Sequence, residues 1–291
     1  MSAVNNRKGI LLMIAAVAAF AVQDGFSRYL AGHYNTLMVV MVRYWVFAAF
    51  VMLLALRRPE GLRAATRSRR MPAHVLRALL LVAEICIMVY GYTLIGLIES
   101  HAVFSVCPLL VVALSGPVLG EKLTWQRWAA VAAGLVGVII ILRPGSGLFS
   151  WPALLPLISA LFFAIYAVLT RLTSRDEAFF PAFFWPPMIG AGVMTLIGLP
   201  FWESISGTDW LYMAAYAAVA ILANWLLQKT YEAAEASSVQ PFAYFHIVFA
   251  SMIGLTFFAE TLALPVVFGT VLIVAAGIYA LWHTHRTEAA A

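Results

Sequence analysis

The sequence predicts an all-α polytopic membrane protein: ten transmembrane helices forming two inverted five-helix repeats, with both termini cytoplasmic. Three observations point there. Of 291 residues, 64% are hydrophobic and only 11% are charged, against roughly 25% charged residues in an ordinary soluble domain. Apolar runs of about 20 residues recur from end to end, each long enough to cross ~30 Å of hydrocarbon as a helix. Lysine and arginine gather in alternate connections between these runs, the asymmetry that orients a membrane protein.

Polar and turn-rich breaks place the helices at 9–30, 36–56, 75–97, 100–118, 125–143, 151–171, 178–201, 208–228, 235–258 and 265–283. The first run follows Arg7 and Lys8 and, at about 22 residues, is too long for the apolar core of a cleaved signal peptide, so it reads as a span. The seventh carries Pro181, Pro186 and Pro187, tolerable in a membrane helix when neighbours satisfy the freed carbonyls. Cys86 and Cys107 both fall inside apolar runs, which suggests neither a disulfide framework nor a metal cluster.

Orientation follows from the segment RRPEGLRAATRSRRMPAHVLR, which holds Arg57, Arg58, Arg63, Arg67, Arg69, Arg70 and Arg77. Placed in the cytoplasm, it brings Arg7, Lys8, Lys122, Arg127, Arg171, Arg175, Lys229 and Arg286 to the same side. Of 18 basic residues only Arg28, Arg43 and Arg143 then lie elsewhere. Topology and anionic headgroups account for this positive charge, so no nucleic-acid partner is expected and membrane lipids are.

The halves echo each other. Leu11, Leu12, Phe20, Ala21 and Arg28 match Leu154, Leu155, Phe163, Ala164 and Arg171 at one offset; Tyr92, Glu121 and Leu123 match Tyr231, Glu260 and Leu262 at an offset shorter by four. Such ordered recurrence is the mark of internal duplication, with units 1–147 and 148–291. Because five is odd, the second unit enters from the opposite side, the arrangement that supports alternating access around a midplane site.

The stretches KGILLMIAAVAAFAVQDGFSRYL, MVRYWVFAAF, SHAVFSVCPLLVVALSGPVLGEKLTWQRWAAVAAGLVGVIII and PFAYFHIVFASMIGLTFFAE resemble the EamA type of ten-helix permease in the drug/metabolite transporter superfamily. The first and last are most similar to the branch with S-adenosylmethionine uptake permeases and riboflavin permeases. The resemblance implies a secondary transporter of small organic molecules in the bacterial inner membrane. It also implies that spans 1–4 and 6–9 wall a central cavity and spans 5 and 10 pack outside it. The glutamate that the family carries after span 4 is present as Glu121 and recurs as Glu260, both at span ends, where capping or packing is expected.

Ionised groups in hydrocarbon cost several kcal/mol and usually face the protein interior. Asp24, Arg28, Arg43 and Glu84 fall inside spans, all in the first repeat. If spans 1 and 2 form a hairpin near His33 and Tyr34, Asp24 and Arg43 lie at equal depth. Such a pair either neutralises itself structurally or opens to a substrate. Arg28 either snorkels or lines the cavity. Glu84, with no basic partner on its own helix, suits proton coupling or recognition of a cation. The second repeat offers His246, a packing residue or a titrating one, with Asn224 and Gln228 one turn apart, and Gln240 beside Pro241 at a local break. Among the aromatics, Tyr90, Tyr166, Trp225 and Tyr244 are the candidates for stacking on an amino-acid-like, nucleoside-like, aromatic or zwitterionic solute.

No GxGxxG, Walker, HExxH or CxxC motif occurs, so no cofactor, metal or ATP drive is expected. No serine–histidine or paired-carboxylate spacing stands out around Ser105, Ser115 or His246, so the chain reads as a non-enzyme. A lipid or lipid-linked sugar translocase is the alternative. Protons or another solute are expected as coupling partners, in a monomer or homodimer.

Overall fold

The computed structural model describes residues 6–120, 125–142, 151–234 and 236–289, and their regular structure is entirely helical. The first half contains α1 (Asn6–Ala31), α2 (Thr36–Leu56), the short α3 (Leu62–Ala65), α4 (Met71–Ile95), α5 (Leu97–Phe104), α6 (Cys107–Leu119) and α7 (Trp125–Leu142). The second contains α8 (Leu154–Asp176), α9 (Phe179–Gly198), α10 (Gly207–Ala233), α11 (Ala236–Ala243), α12 (Phe245–Phe257) and α13 (Leu264–Ala289). Glu121, Lys122, Leu123, Arg143 and the expected repeat boundary at 147/148 lie outside the described residues.

Among the described residues, seven helical segments have the length and apolarity to cross a membrane, with α5 and α6 counting together as Leu97–Leu119. Three shorter apolar stretches follow at Trp128–Ile141, Phe245–Phe257 and Leu264–Ala276. The span expected at 235–258, with a local break beside Gln240 and Pro241, divides at Tyr244 into α11 and α12. The α5–α6 run divides likewise at Ser105 and Val106, where Pro108 in the first turn of α6 offers no N–H to the carbonyl of Phe104.

Proline acts differently in α9, which runs unbroken through Pro186 and Pro187. Pro186 leaves the carbonyl of Ala182 without its helical donor, and Arg77 of α4 points Nη1 at that oxygen from 3.4 Å. A neighbouring helix thus repairs the ladder.

The main packing partners are α1 with α10, α4 with α8, α2 with α9, and α7 with α13, followed by α1 with α12 and α6 with α8. Exchanging each helix for its equivalent in the other half maps this set onto itself. At the α7–α13 crossing the backbones almost touch: a Cβ on Gly137 would stand 2.8 Å from the Gly269 oxygen, and one on Gly269 2.6 Å from the Gly137 oxygen. Small residues permit that approach, and here one glycine from each helix suffices.

Gly96 joins α4 to α5 with φ 82° and ψ 174°, a conformation open essentially to glycine alone. The bend presents the first amides of α5 to Glu260, which accepts from Leu97 N at 2.7 Å and Ile98 N at 2.8 Å. A carboxylate at a helix N-terminus satisfies orphan donors and complements the dipole. Arg28 flanks it at 3.9 Å and lies over the Phe258 ring at 5.7 Å. A Cβ at residue 96 would sit 2.8 Å from Glu260 Oε1. Gly96→Ala is therefore expected to lose about 1–3 kcal/mol from backbone strain plus part of the cap, read as a lower thermal midpoint in detergent; an unchanged midpoint would contradict it.

Candidate functional site

A cavity of ≈ 90 Å³ opens between the halves, lined from α1, α2, α4, α5, the start of α6, α8, α10 and the α11–α12 break. Six expected site residues reach it: Asp24, Arg43, Glu84, Asn224, Tyr244 and His246. Tyr166 and Gln228 line a smaller adjoining pocket that shares Arg43 and Asn224. Tyr90 and Trp225 reach neither pocket. They are 48% and 40% exposed, because they fall on the outward faces of α4 and α10, and their expected role in the cavity is corrected on that ground.

Asp24 and Arg43 face the same cavity, yet they do not pair. Asp24 Oδ2 instead lies 3.1 Å from His101 Nε2 and 2.9 Å from His246 Nε2, and Gln23 Nε2 donates to its other oxygen at 3.4 Å. The hairpin count set the depth of the two charges but not which neighbouring helix would intervene. His101, buried one turn into α5, was not among the expected site residues, since it falls at the very start of the span predicted at 100–118. Tyr92 Oη is 3.1 Å from His101 Nε2, and the two imidazole centroids are 4.4 Å apart. Phe20, Phe104 and Phe163 complete an aromatic wall around them.

Arg43 is buried beside the rings of Tyr44 and Tyr216, at 5.4 and 5.6 Å. Its Nε and Nη1 have no hydrogen-bond partner among the described residues, nor do the hydroxyls of Tyr44, Tyr216 and Tyr244. Glu84 accepts from Ser159 Oγ of α8 at 3.0 Å. Asn224 donates to the Ala220 carbonyl within its own helix at 2.9 Å, and Gln240 Nε2 reaches Tyr231 Oη at 3.1 Å.

A second polar cluster, which the arginine-rich loop had concealed, surrounds Arg77. This residue is fully buried two turns into α4. It donates to Thr170 Oγ1, Thr173 Oγ1 and Gln228 Oε1 at 3.1–3.2 Å and approaches His74 Nδ1 at 3.2 Å. His74 Nε2 in turn stands 2.6 Å from Glu177 Oε2. Ser68 Oγ and the amides of Arg69 and Arg70 also donate to Glu177.

Burial disfavours the Glu177 carboxylate, but the bonds from His74, Ser68 and the two amides outweigh it and hold the carboxyl below its ordinary value of 4.5. A lowered folded value means that stability is fully present above 4.5 and is lost as pH falls through the folded value. Thermal midpoints measured from neutral to acid pH are thus expected to fall more steeply below that point in the wild type than in Glu177→Gln. Parallel curves would remove Glu177 from the acid response.

Buried charges around an internal cavity, inside helices of membrane-spanning length, define a polytopic membrane protein with a polar interior cavity. The EamA-like transporter family model matches residues 7–143 and 150–282, and the chain belongs to that family. It is 29% identical over 239 residues to a riboflavin transporter of Vibrio cholerae, covering 81% of this chain and 80% of that one. It is 23% identical over 279 residues to an S-adenosylmethionine uptake transporter of Rickettsia prowazekii, covering 96% and 94%. A solved crystal structure shares the fold at TM-score 0.69 and 17% identity, over 97% of this chain and 98% of that one. The protein is an integral bacterial membrane protein of the drug/metabolite transporter superfamily.

Proposed function

We propose that the chain is a secondary active transporter that carries a small planar metabolite bearing acceptor or carboxylate groups across the membrane by alternating access. The observation that carries this reading is Arg43, a buried guanidinium with two unpartnered nitrogens, at a cavity walled by both halves. Sites built to be completed by a ligand leave such donors open. The phenylalanine wall supplies faces for a flat ring, and Glu84 a partner for a cationic end. Riboflavin and S-adenosylmethionine, named for two relatives, both combine a ring system with many polar groups.

On this reading the chain crosses the membrane ten times, the two halves are inverted repeats, and both termini are cytoplasmic. The helix-pair exchange symmetry supports it. A cavity of ≈ 90 Å³ is smaller than the roughly 300–1,000 Å³ of ordinary small-molecule sites, so solute entry requires one end to open. Glu260 with the α5 amides would close one end, and the Arg77–His74–Glu177 cluster the other.

A thermal-shift screen of the purified protein with flavins, S-adenosylmethionine, nucleosides and amino acids tests the reading, because a ligand of the folded state raises its midpoint. The solute found should then show saturable uptake into proteoliposomes, reduced in Glu84→Gln. A panel without any stabilising solute and without saturable flux would sink the proposal.

A further inference from the structure

The geometry points to a divalent transition-metal site, suited to Zn²⁺, formed by Asp24, His101 and His246. One carboxylate oxygen and one nitrogen from each imidazole lie within 4.8 Å of one another. The two nitrogens stand 3.1 and 2.9 Å from Asp24 Oδ2. A tetrahedral zinc with bonds of about 2.0–2.1 Å needs its donors about 3.3 Å apart, so small side-chain shifts admit the ion. Binding replaces two N–H···O contacts, each imidazole moving its proton to Nδ1 so that Nε2 can coordinate. Two imidazoles and a carboxylate favour zinc-like ions over magnesium or calcium.

Three protein ligands leave a fourth position free, and the cavity beside Tyr92 can supply it with water or solute oxygen. No sequence motif announces the site, because its ligands are scattered over α1, α5 and α12. They also come from both halves of the chain. Where the transport reading holds, a bound ion ties those halves together and slows the opening of the cavity; metal binding itself does not depend on that reading.

The test is a titration of full-length, tag-free protein in lipid nanodiscs with Co²⁺, read by visible absorption, followed by displacement with Zn²⁺ and equilibrium dialysis. One ion per chain is expected. Asp24→Asn, His101→Asn and His246→Asn should each weaken binding by at least about tenfold, while His33→Asn leaves it unchanged. His246→Cys retains a coordinating atom and should keep the ion with a new thiolate charge-transfer band, which separates ligand loss from misfolding. Absence of stoichiometric binding overturns the proposal. So does binding that survives all three asparagine variants, or that disappears only when His283 and His285 are replaced. Zn²⁺ inhibition of flux, relieved by the same variants, would extend the result to transport.

Discussion

Arg43→Gln is expected to weaken binding of the transported solute by about 10- to 100-fold, corresponding to the roughly 1.5–3 kcal/mol of a hydrogen bond to a charged group. Glutamine retains a donor but removes the charge and the planar fork that grips carboxylates or paired acceptors. Folding stability should not fall in parallel. Arg43 is 2% exposed and two of its nitrogens lack partners, so its burial already costs free energy that the variant partly recovers. Ligand titration alongside the unfolding midpoint separates the two effects. Unchanged affinity, or a loss of stability equal to the loss of affinity, would return Arg43 to a structural role. Tyr90→Ala and Trp225→Ala, on outward faces, should leave affinity unchanged.

The opposite pattern is expected at Arg77. Removing this fully buried cation by Arg77→Ala leaves Gln228 Oε1, His74 and the Ala182 carbonyl without its N–H groups and opens a void among α4, α8, α9 and α10. Each buried acceptor left unsatisfied costs about 1–3 kcal/mol, a loss that a denaturation midpoint in detergent would register. Arg77→Lys should recover only part, since one ammonium cannot match a guanidinium that serves four helices. A stable, correctly folded Arg77→Ala protein would show that the Ala182 carbonyl and the threonines find other donors or water.

Arg43 and Arg77 also mark how far residues alone could be interpreted. Both are arginines in or beside apolar runs, and simple position assigned Arg77 to the cytoplasmic charge cluster. In the structure Arg77 is spent on neighbours while Arg43 is left open. The difference lies in what faces them: the hydroxyls of Thr170 and Thr173 on α8 against the tyrosine rings of α2 and α10. Similarly, Glu84 was expected to have no basic partner on its own helix, and the group that reaches it is the Ser159 hydroxyl, from α8.

Membrane residence, the order of apolar runs and the echo between the halves were legible in the sequence. Hydropathy and charge asymmetry act locally, and duplication preserves residue order. The positions of Asp24, Arg43, Glu84 and His246 around a shared interior were also expected, since hydrocarbon penalises charge wherever it is not enclosed. Tertiary structure alone decided that Asp24 meets His101 and His246 rather than Arg43, and that Tyr90 and Trp225 face outward. Those outcomes depend on the rotation and crossing of helices far apart in the chain, which depth along one helix does not specify.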